Sequence, residues 1–305
     1  MRPFTNLSLL FGLLVFAACS NNLDDEEDCL DPSYKVPLTV TVNVDDSFHH
    51  HCSIDSAFST RSADTPYLKY YVAAYPSNQT LKPVIGSSNT DKVSLSLHPG
   101  KYTMVGWVSY ESAVENRCIN FYTDDFDELL LKNKYSYTGA HKYKLAFRGA
   151  EDKNVAYNTT QASLSVTPAM ALYRIVSTDT ASYVPHRIVI KYTSSFPAAI
   201  NALDGKINWW WNDISFESEP DDTLLASDYV FSQNIETQIS LTIEIYDDND
   251  KLRACKQNIV VPLINGGITT ISGNFYSAHD FNGSADTSNG IKIKTEWDSS
   301  FEIEI

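Results

Sequence analysis

The side chains with the most chemistry to offer are a thiol near the N-terminus, a run of imidazoles and a block of indoles. Cys19 follows Phe16-Ala17-Ala18 at the end of an apolar run, and Asn21, Asn22 and the acidic stretch Asp24 to Asp28 come after it. Arg2 gives the segment a positive start, and Leu9 to Val15 is apolar but too short to span a bilayer as a helix. Small residues directly before a cysteine are the pattern of a bacterial lipoprotein signal. The thiol is then acylated, with palmitate among the chains, and Cys19 becomes the first residue of the mature protein. Several acyl chains hold a protein to a membrane far more firmly than one chain does. The competing reading is a plain signal peptide with an incidental cysteine, since Phe16 is an unusual occupant three residues before the thiol.

His49, His50, His51 and Cys52 are all metal-ligating types. Three consecutive histidines on a loop do not converge without help, and no second ligand cluster matches them, so no metal or other cofactor is expected. Trp209-Trp210-Trp211 has the most binding potential. Adjacent side chains of a strand face opposite ways, so at most two of the three share a face. An exposed pair could stack on sugar rings or anchor a protein partner. Alternatively, one or two fill the core and the other shields an edge. No G-x-S-x-G, H-E-x-x-H or phosphate-cradling glycine loop occurs, and the 7 histidines have no catalytic spacing. Acidic pairs are plentiful and two carboxylates can converge from any distance, but no motif points to an enzyme.

Removing residues 1–18 leaves 287 of 305 residues and moves the formal charge from -15 to -16, because Arg2 is the one charged side chain lost. Such acidity argues against nucleic acid and against docking on anionic lipid through a basic patch. It suits an exposed soluble region tethered by its lipid. Cys29, Cys52, Cys118 and Cys255 would lie in an exported chain, where disulfides are permitted. Their spacing does not select a pairing, and all four are equally readable as free thiols.

Periodicity then supplies the elements. Val36 to Val44 alternates Leu38, Val40, Val42 and Val44 against Thr39, Thr41 and Asn43, a half-buried strand that starts at Pro37 or lies at an edge. Residues 45–66 read as a long loop. Tyr67 to Tyr75 is a strand stopped by Pro76-Ser77-Asn78. Val93, Leu95 and Leu97 alternate with serines, and His98-Pro99-Gly100 then leads into Lys101 to Val108, a pattern expected to form a hairpin. The stretch Phe126 to Lys134 could carry a short helix, Tyr143, Leu145 and Phe147 alternate again, and the polar Gly149 to Asn158 reads as a break. Further strands are expected around Leu164, from Ala171 to Ser177 and from Arg187 to Thr193. Ile239 to Ile245 and Ala254 to Val261 follow, joined by the turn Asp247-Asp248-Asn249-Asp250, and Phe301 to Ile305 closes the chain. That turn lacks the glycine and closing glutamate of an EF-hand. Strands spaced by turns, without helices between them, predict an all-β fold of sandwiches, with length enough for two domains.

In their order along the chain these segments resemble the fimbrillin-like lipoproteins of Bacteroidales, a family of fimbrial stalk, tip and anchor subunits. The shared features are the lipobox with its acidic tether, Asp28-Cys29, the strand at 36–44, and Leu97-His98-Pro99-Gly100-Lys101-Tyr102 running to Trp107. Later come Ser195 to Asn201 before Gly205, Val261-Pro262-Leu263 running to Gly273-Asn274-Phe275, and Phe301 to Ile305. The resemblance implies two tandem transthyretin-like Greek-key β-sandwich domains, at 36–158 and 159–305, after a signal at 1–18 and a tether at 19–35. It also implies a non-enzymatic lipoprotein of the outer membrane surface, active in cell adhesion as a fimbrium (pilus) subunit or anchor. Its partners would be the membrane, through Cys19, and other subunits, through strand exchange; a glycan or host protein is the alternative partner. In stalk subunits of this family a protease cuts after a basic residue between the first and second strands, and Arg61 occupies that position here. Arg61 is equally readable as an ordinary loop arginine. Asp28-Cys29 matches the anchor pattern, whereas the loop at 45–66 matches stalk or tip.

Overall fold

The computed structural model describes residues 34–45, 66–77, 82–112, 117–141, 143–220, 223–233, 237–276, 292–296 and 301–304. Cys19, Cys29, His49 to Cys52 and Arg61 lie outside these residues. The described chain is β throughout, apart from one 3-10 turn at Lys134–Ser136, as its alternating patterns predict.

The first ten strands are β1 (Val36–Val44), β2 (Tyr67–Pro76), β3 (Val84–Ser88), β4 (Lys92–Leu97), β5 (Gly100–Ser112), β6 (Arg117–Cys118), β7 (Phe121–Tyr122), β8 (Leu129–Leu131), β9 (Phe147–Val155) and β10 (Gln161–Pro168). Eight of them form one sheet in the order β3-β2-β5-β9-β10-β1-β4, with β6 added on β5. This sheet folds over on itself. A Cβ on Gly86 of β3 would come within 2.7 Å of Leu95 Cδ2 on β4, so the two ends of the strand order face each other. The corner is β10, which pairs with β1 over Gln161 to Val166 and with β9 only at Thr167 and Pro168.

The remaining strands are β11 (Met170–Ser177), β12 (Pro185–Tyr192), β13 (Phe196–Ile200), β14 (Ile207–Trp211), β15 (Ser215–Ser218), β16 (Leu224–Phe231), β17 (Thr237–Asp247), β18 (Leu252–Leu263), β19 (Ile268–Gly273), β20 (Lys292–Glu296) and β21 (Phe301–Glu304). They make the sheets β16-β11-β19-β20-β21 and β15-β12-β17-β18, while β14 and β13 join β8 and β7 in a fourth. The two halves share a device: β1 runs parallel to β10, and β11 runs parallel to β19, so the first strand of each set lies beside a late one. Strand β10 lies past residue 158 yet completes the first sheet, so the change of sheets falls between Pro168 and Met170.

Three local expectations are corrected. Strands β4 and β5 do not form a hairpin: β4 pairs with β1, while β5 pairs with β2 and β9. The turn at 98–100 instead swings the chain across the fold, through Gly100 at φ 153° and a bond from Tyr102 Oη to the His98 carbonyl at 2.8 Å. The segment from Phe126 to Lys134 forms no helix before the 3-10 turn that starts at Lys134. Leu129 and Leu131 are buried on one face of β8, which pairs with β13, and Asn133 at φ 63° turns the chain out of it. Finally, the polar run from Gly149 onward is no break but the body of β9, an interior strand of the first sheet. Its polarity is satisfied locally: Glu151 accepts from Lys153 Nζ at 2.7 Å and from the Ser165 backbone N–H at 2.9 Å.

Glycine is required in β9 where it meets the corner. A Cβ on Gly149 would lie 1.9 Å from the Ser165 carbonyl oxygen, a backbone atom with nowhere to go. Gly149→Ala is therefore expected to cost about 1–3 kcal/mol, as overpacking does, read as a lowered urea midpoint with unchanged slope.

Candidate functional site

Three places draw chemically distinctive residues together. The first is the seat of β1. Val36, Leu38, Val40 and Val42 are all at most 2% exposed, while Pro37 and Asn43 face solvent. Each buried side chain contributes about 1.5–3 kcal/mol. On one side β1 runs antiparallel to β4, with Leu38 opposite Leu95 and Val40 opposite Val93. On the other it runs parallel to β10, with Val42 opposite Leu164 and Val44 opposite Val166. Backbone bonds extend the seat at its ends: Val42 N–H to Asp91 O at 2.8 Å and Asp45 N–H to Val166 O at 2.9 Å. Removing this one strand would leave β4 and β10 as two facing edges with an apolar slot between them, the kind of edge that templates pairing with another chain.

The second is the indole block. Trp211 is buried, ring-stacked on Phe196 with centroids 6.2 Å apart and edge-on to Tyr137 at 6.3 Å. Trp209 and Trp210 are 51% and 49% exposed, on β14 at the edge of its sheet. Strict alternation is interrupted here by irregular register against β13, around Ala199. Asn208, Trp209 and Trp210 are therefore all exposed in succession along this edge, while Ile207 and Trp211 at either end are buried.

The third went unread in the sequence. Lys144, in the segment before β9, and Asp228, on β16, are both buried and in direct contact. Asp228 Oδ2 accepts from Tyr137 Oη at 2.7 Å and from Tyr192 Oη at 2.5 Å, and Tyr173 Oη lies 2.9 Å from Tyr192 Oη. Lys144 Nζ also donates to Tyr137 Oη at 2.5 Å and to the Thr138 carbonyl at 3.3 Å. Burial lowers the pKa of the Lys144 amine against the opposing pull of Asp228. Burial likewise raises that of the Asp228 carboxyl, opposed by Lys144 and the tyrosine hydroxyls. The three phenols are pushed up by burial and then by Asp228. These partners lie 84 residues apart and carry no local signature, so no sequence pattern could have joined them. Nearby, Arg148 of β9 clasps the following half, donating to the Ala202 and Leu203 carbonyls at 2.6 Å each.

His141 flanks the network and is pushed down to about 4, chiefly by its burial. The unfolded chain, with an ordinary histidine near 6.5, binds the proton that the folded chain refuses. Stability is therefore full above about 6.5 and falls as pH drops toward about 4, by up to roughly 3 kcal/mol at the low end. Urea titrations across that window should show this loss in the native chain and a flatter profile in His141→Asn.

Among the described residues no group of three or more His, Cys, Asp or Glu side chains comes together to hold a metal. The acidic turn is closed on itself, since Asp247 accepts from the backbone N–H groups of Asn249 and Lys251 at 2.9 Å and from Arg253 Nε at 2.6 Å. Cys255 is a buried free thiol.

Comparison with known proteins adds the following. No curated protein matches. Among solved structures, a candidate cell adhesion protein from Bacteroides ovatus is similar at 10% identity, over 89% of this chain and 99% of that one, with a TM-score of 0.49. A candidate polysaccharide-binding protein from Bacteroides thetaiotaomicron is similar at 10% identity, over 88% and 98%, with a TM-score of 0.49. The fimbrial anchor protein of Porphyromonas gingivalis is similar at 7% identity, over 86% and 97%, with a TM-score of 0.43. One family model, described as a family of unknown function (DUF6562), matches residues 32–305. Matched over nearly all of its length, the chain belongs to that family.

Proposed function

We propose that this protein is a non-enzymatic surface lipoprotein, held in the outer membrane by acylated Cys19, that serves as a fimbrial subunit or anchor and supports adhesion through strand exchange. The observation that carries the reading is the seat of β1, a first strand held between β4 and β10 by its edges and four buried side chains. A strand seated in this way is separable from the fold that receives it, and a donated strand of like pattern would fill the same slot. Arg61, in the connection between β1 and β2, is the proposed point of release. Locking the strand tests this. Thr39 and Ser94 are opposed across β1 and β4, so cysteines at both positions would tie the strand in place. If the chain is a stalk or tip subunit, the locked variant is expected to reach the surface but not to enter assemblies, and reduction restores entry. Unchanged surface assemblies in the locked variant would assign it to the base, where β1 stays. Absence of any surface filament under expressing conditions, with no change on deleting the gene, would overturn the fimbrial reading.

The exposure of Trp209 and Trp210 favours a second reading, a surface binder of glycan or protein. Replacing both by alanine should abolish binding to a polysaccharide array while leaving the unfolding free energy within about 0.5 kcal/mol, as for exposed positions. An array without hits for the native chain would count against it.

A further inference from the structure

The buried contact between Lys144 and Asp228 has the parts of a condensation site. Both side chains are at most 4% exposed, and Nζ touches Oδ1. The other carboxyl oxygen, Oδ2, takes two hydroxyl donors, Tyr137 Oη at 2.7 Å and Tyr192 Oη at 2.5 Å. Tyr173 stands behind Tyr192 and orients it. Two donors converging on one oxygen are what a developing oxyanion requires, preorganised in a water-excluded site. The amine is positioned as well: Tyr137 Oη and the Thr138 carbonyl accept its N–H groups, leaving its remaining direction toward the carboxyl. Holding the two groups together converts a bimolecular step into a unimolecular one.

We propose that Lys144 and Asp228 condense spontaneously to an intramolecular amide that staples the two halves of the fold together. The reacting species is the neutral pair, Nζ as NH2 and Asp228 as COOH protonated on Oδ1. Burial favours this pair, because it disfavours the charged form of each group. Nζ attacks the Asp228 carboxyl carbon, and the C=O electrons move onto Oδ2, where Tyr137 and Tyr192 stabilise them. One amine proton passes to Oδ1, which leaves with both protons as water while the Oδ2 double bond re-forms. One N–C bond forms, one C–O bond breaks and one water is released, with no oxidant or reductant needed. The product ties the segment before β9 to β16 across 84 residues of chain. It does not rest on the fimbrial reading and would serve any exported protein exposed to proteases or pulling force.

The test is the mass of the full chain, purified and fully denatured. The expected mass is lower than the sequence mass by one water, with Lys144 resistant to trypsin and a branched peptide joining it to Asp228. Separate, unmodified Lys144 and Asp228 peptides in the native protein would overturn the proposal. Asp228→Asn supplies a chemical signature, since condensation there expels ammonia and gives the same product mass as the native chain. Tyr192→Phe removes one donor and should slow condensation roughly 10²-fold, followed by mass in freshly synthesised protein. Condensation at the native rate in that variant would overturn the oxyanion assignment.

Discussion

Lys144→Ala is expected to lower the unfolding free energy by at least about 3–5 kcal/mol, the cost of leaving a buried charge without its partner. Asp228 would keep the hydroxyls of Tyr137 and Tyr192 but lose Lys144, with essentially no solvent to replace it. The network sits where the segment before β9 meets β16, so the loss should loosen one half of the fold against the other. The informative control is the double replacement Lys144→Met with Asp228→Leu. Removing both charges leaves nothing to desolvate, so the double variant should be more stable than either single one, whether the native pair is ionic or condensed. Urea unfolding of the four proteins decides the matter. A double variant less stable than both singles would mean that the carboxylate and amine contribute separately.

Cutting the chain after Arg61 without denaturation is expected to leave the fragment that carries β1 in place. Two ladders and four buried side chains hold it, and none of them depends on the connection to β2. Val40→Asp should change this outcome. Val40 is 0% exposed between Val93 and Ala162, so a carboxylate there has no water and no cation. A cost of about 3 kcal/mol or more corresponds to over 10²-fold in the affinity of the severed strand. Thr39→Asp, on the outward face, should leave that affinity within a factor of about two to three. Gel filtration after the cut reads both: the native and Thr39→Asp fragments co-elute with the body, and the Val40→Asp fragment separates.

The strands that were legible in the sequence are those whose two faces differ. Val36 to Val44 and Ile239 to Ile245 alternate because one face of each is buried, and β1 and β17 follow that pattern closely. In β18, by contrast, Ala254, Cys255 and Lys256 are all buried and Asn258, at φ 57°, breaks the period. Strand β9 was illegible for the opposite reason. Only Phe147 and Val155, at its ends, are buried, and the glycine and charges between them answer to Ser165 and Lys153 rather than to a core. The helix expected near Phe126 failed because Leu129 and Leu130 pair with Ile200 and Ala199 of β13, which comes from the other half of the chain. Pairing across so much sequence also hid β4's partner, since the turn at 98–100 looks the same whether the strands it joins are neighbours or not. In the indole block, alternation limited how many tryptophans could share a face, but only the position of β14 at a sheet edge explains why two of them are exposed. The Lys144–Asp228 network left no trace, because a lysine, an aspartate and three tyrosines are unremarkable until the fold brings them together.

The proposal that a lipid-held first strand governs this protein is tested most directly at its N-terminus. Protein recovered from native membranes and from any surface assemblies would be analysed by intact mass and N-terminal sequencing. Expected is acylated Cys19 on membrane-held molecules, with Ser62 as the terminus wherever the protein has been released into assemblies. An unacylated Cys19 still preceded by the residues before it, on protein confined to the periplasm, would contradict both the anchor and the strand-release reading.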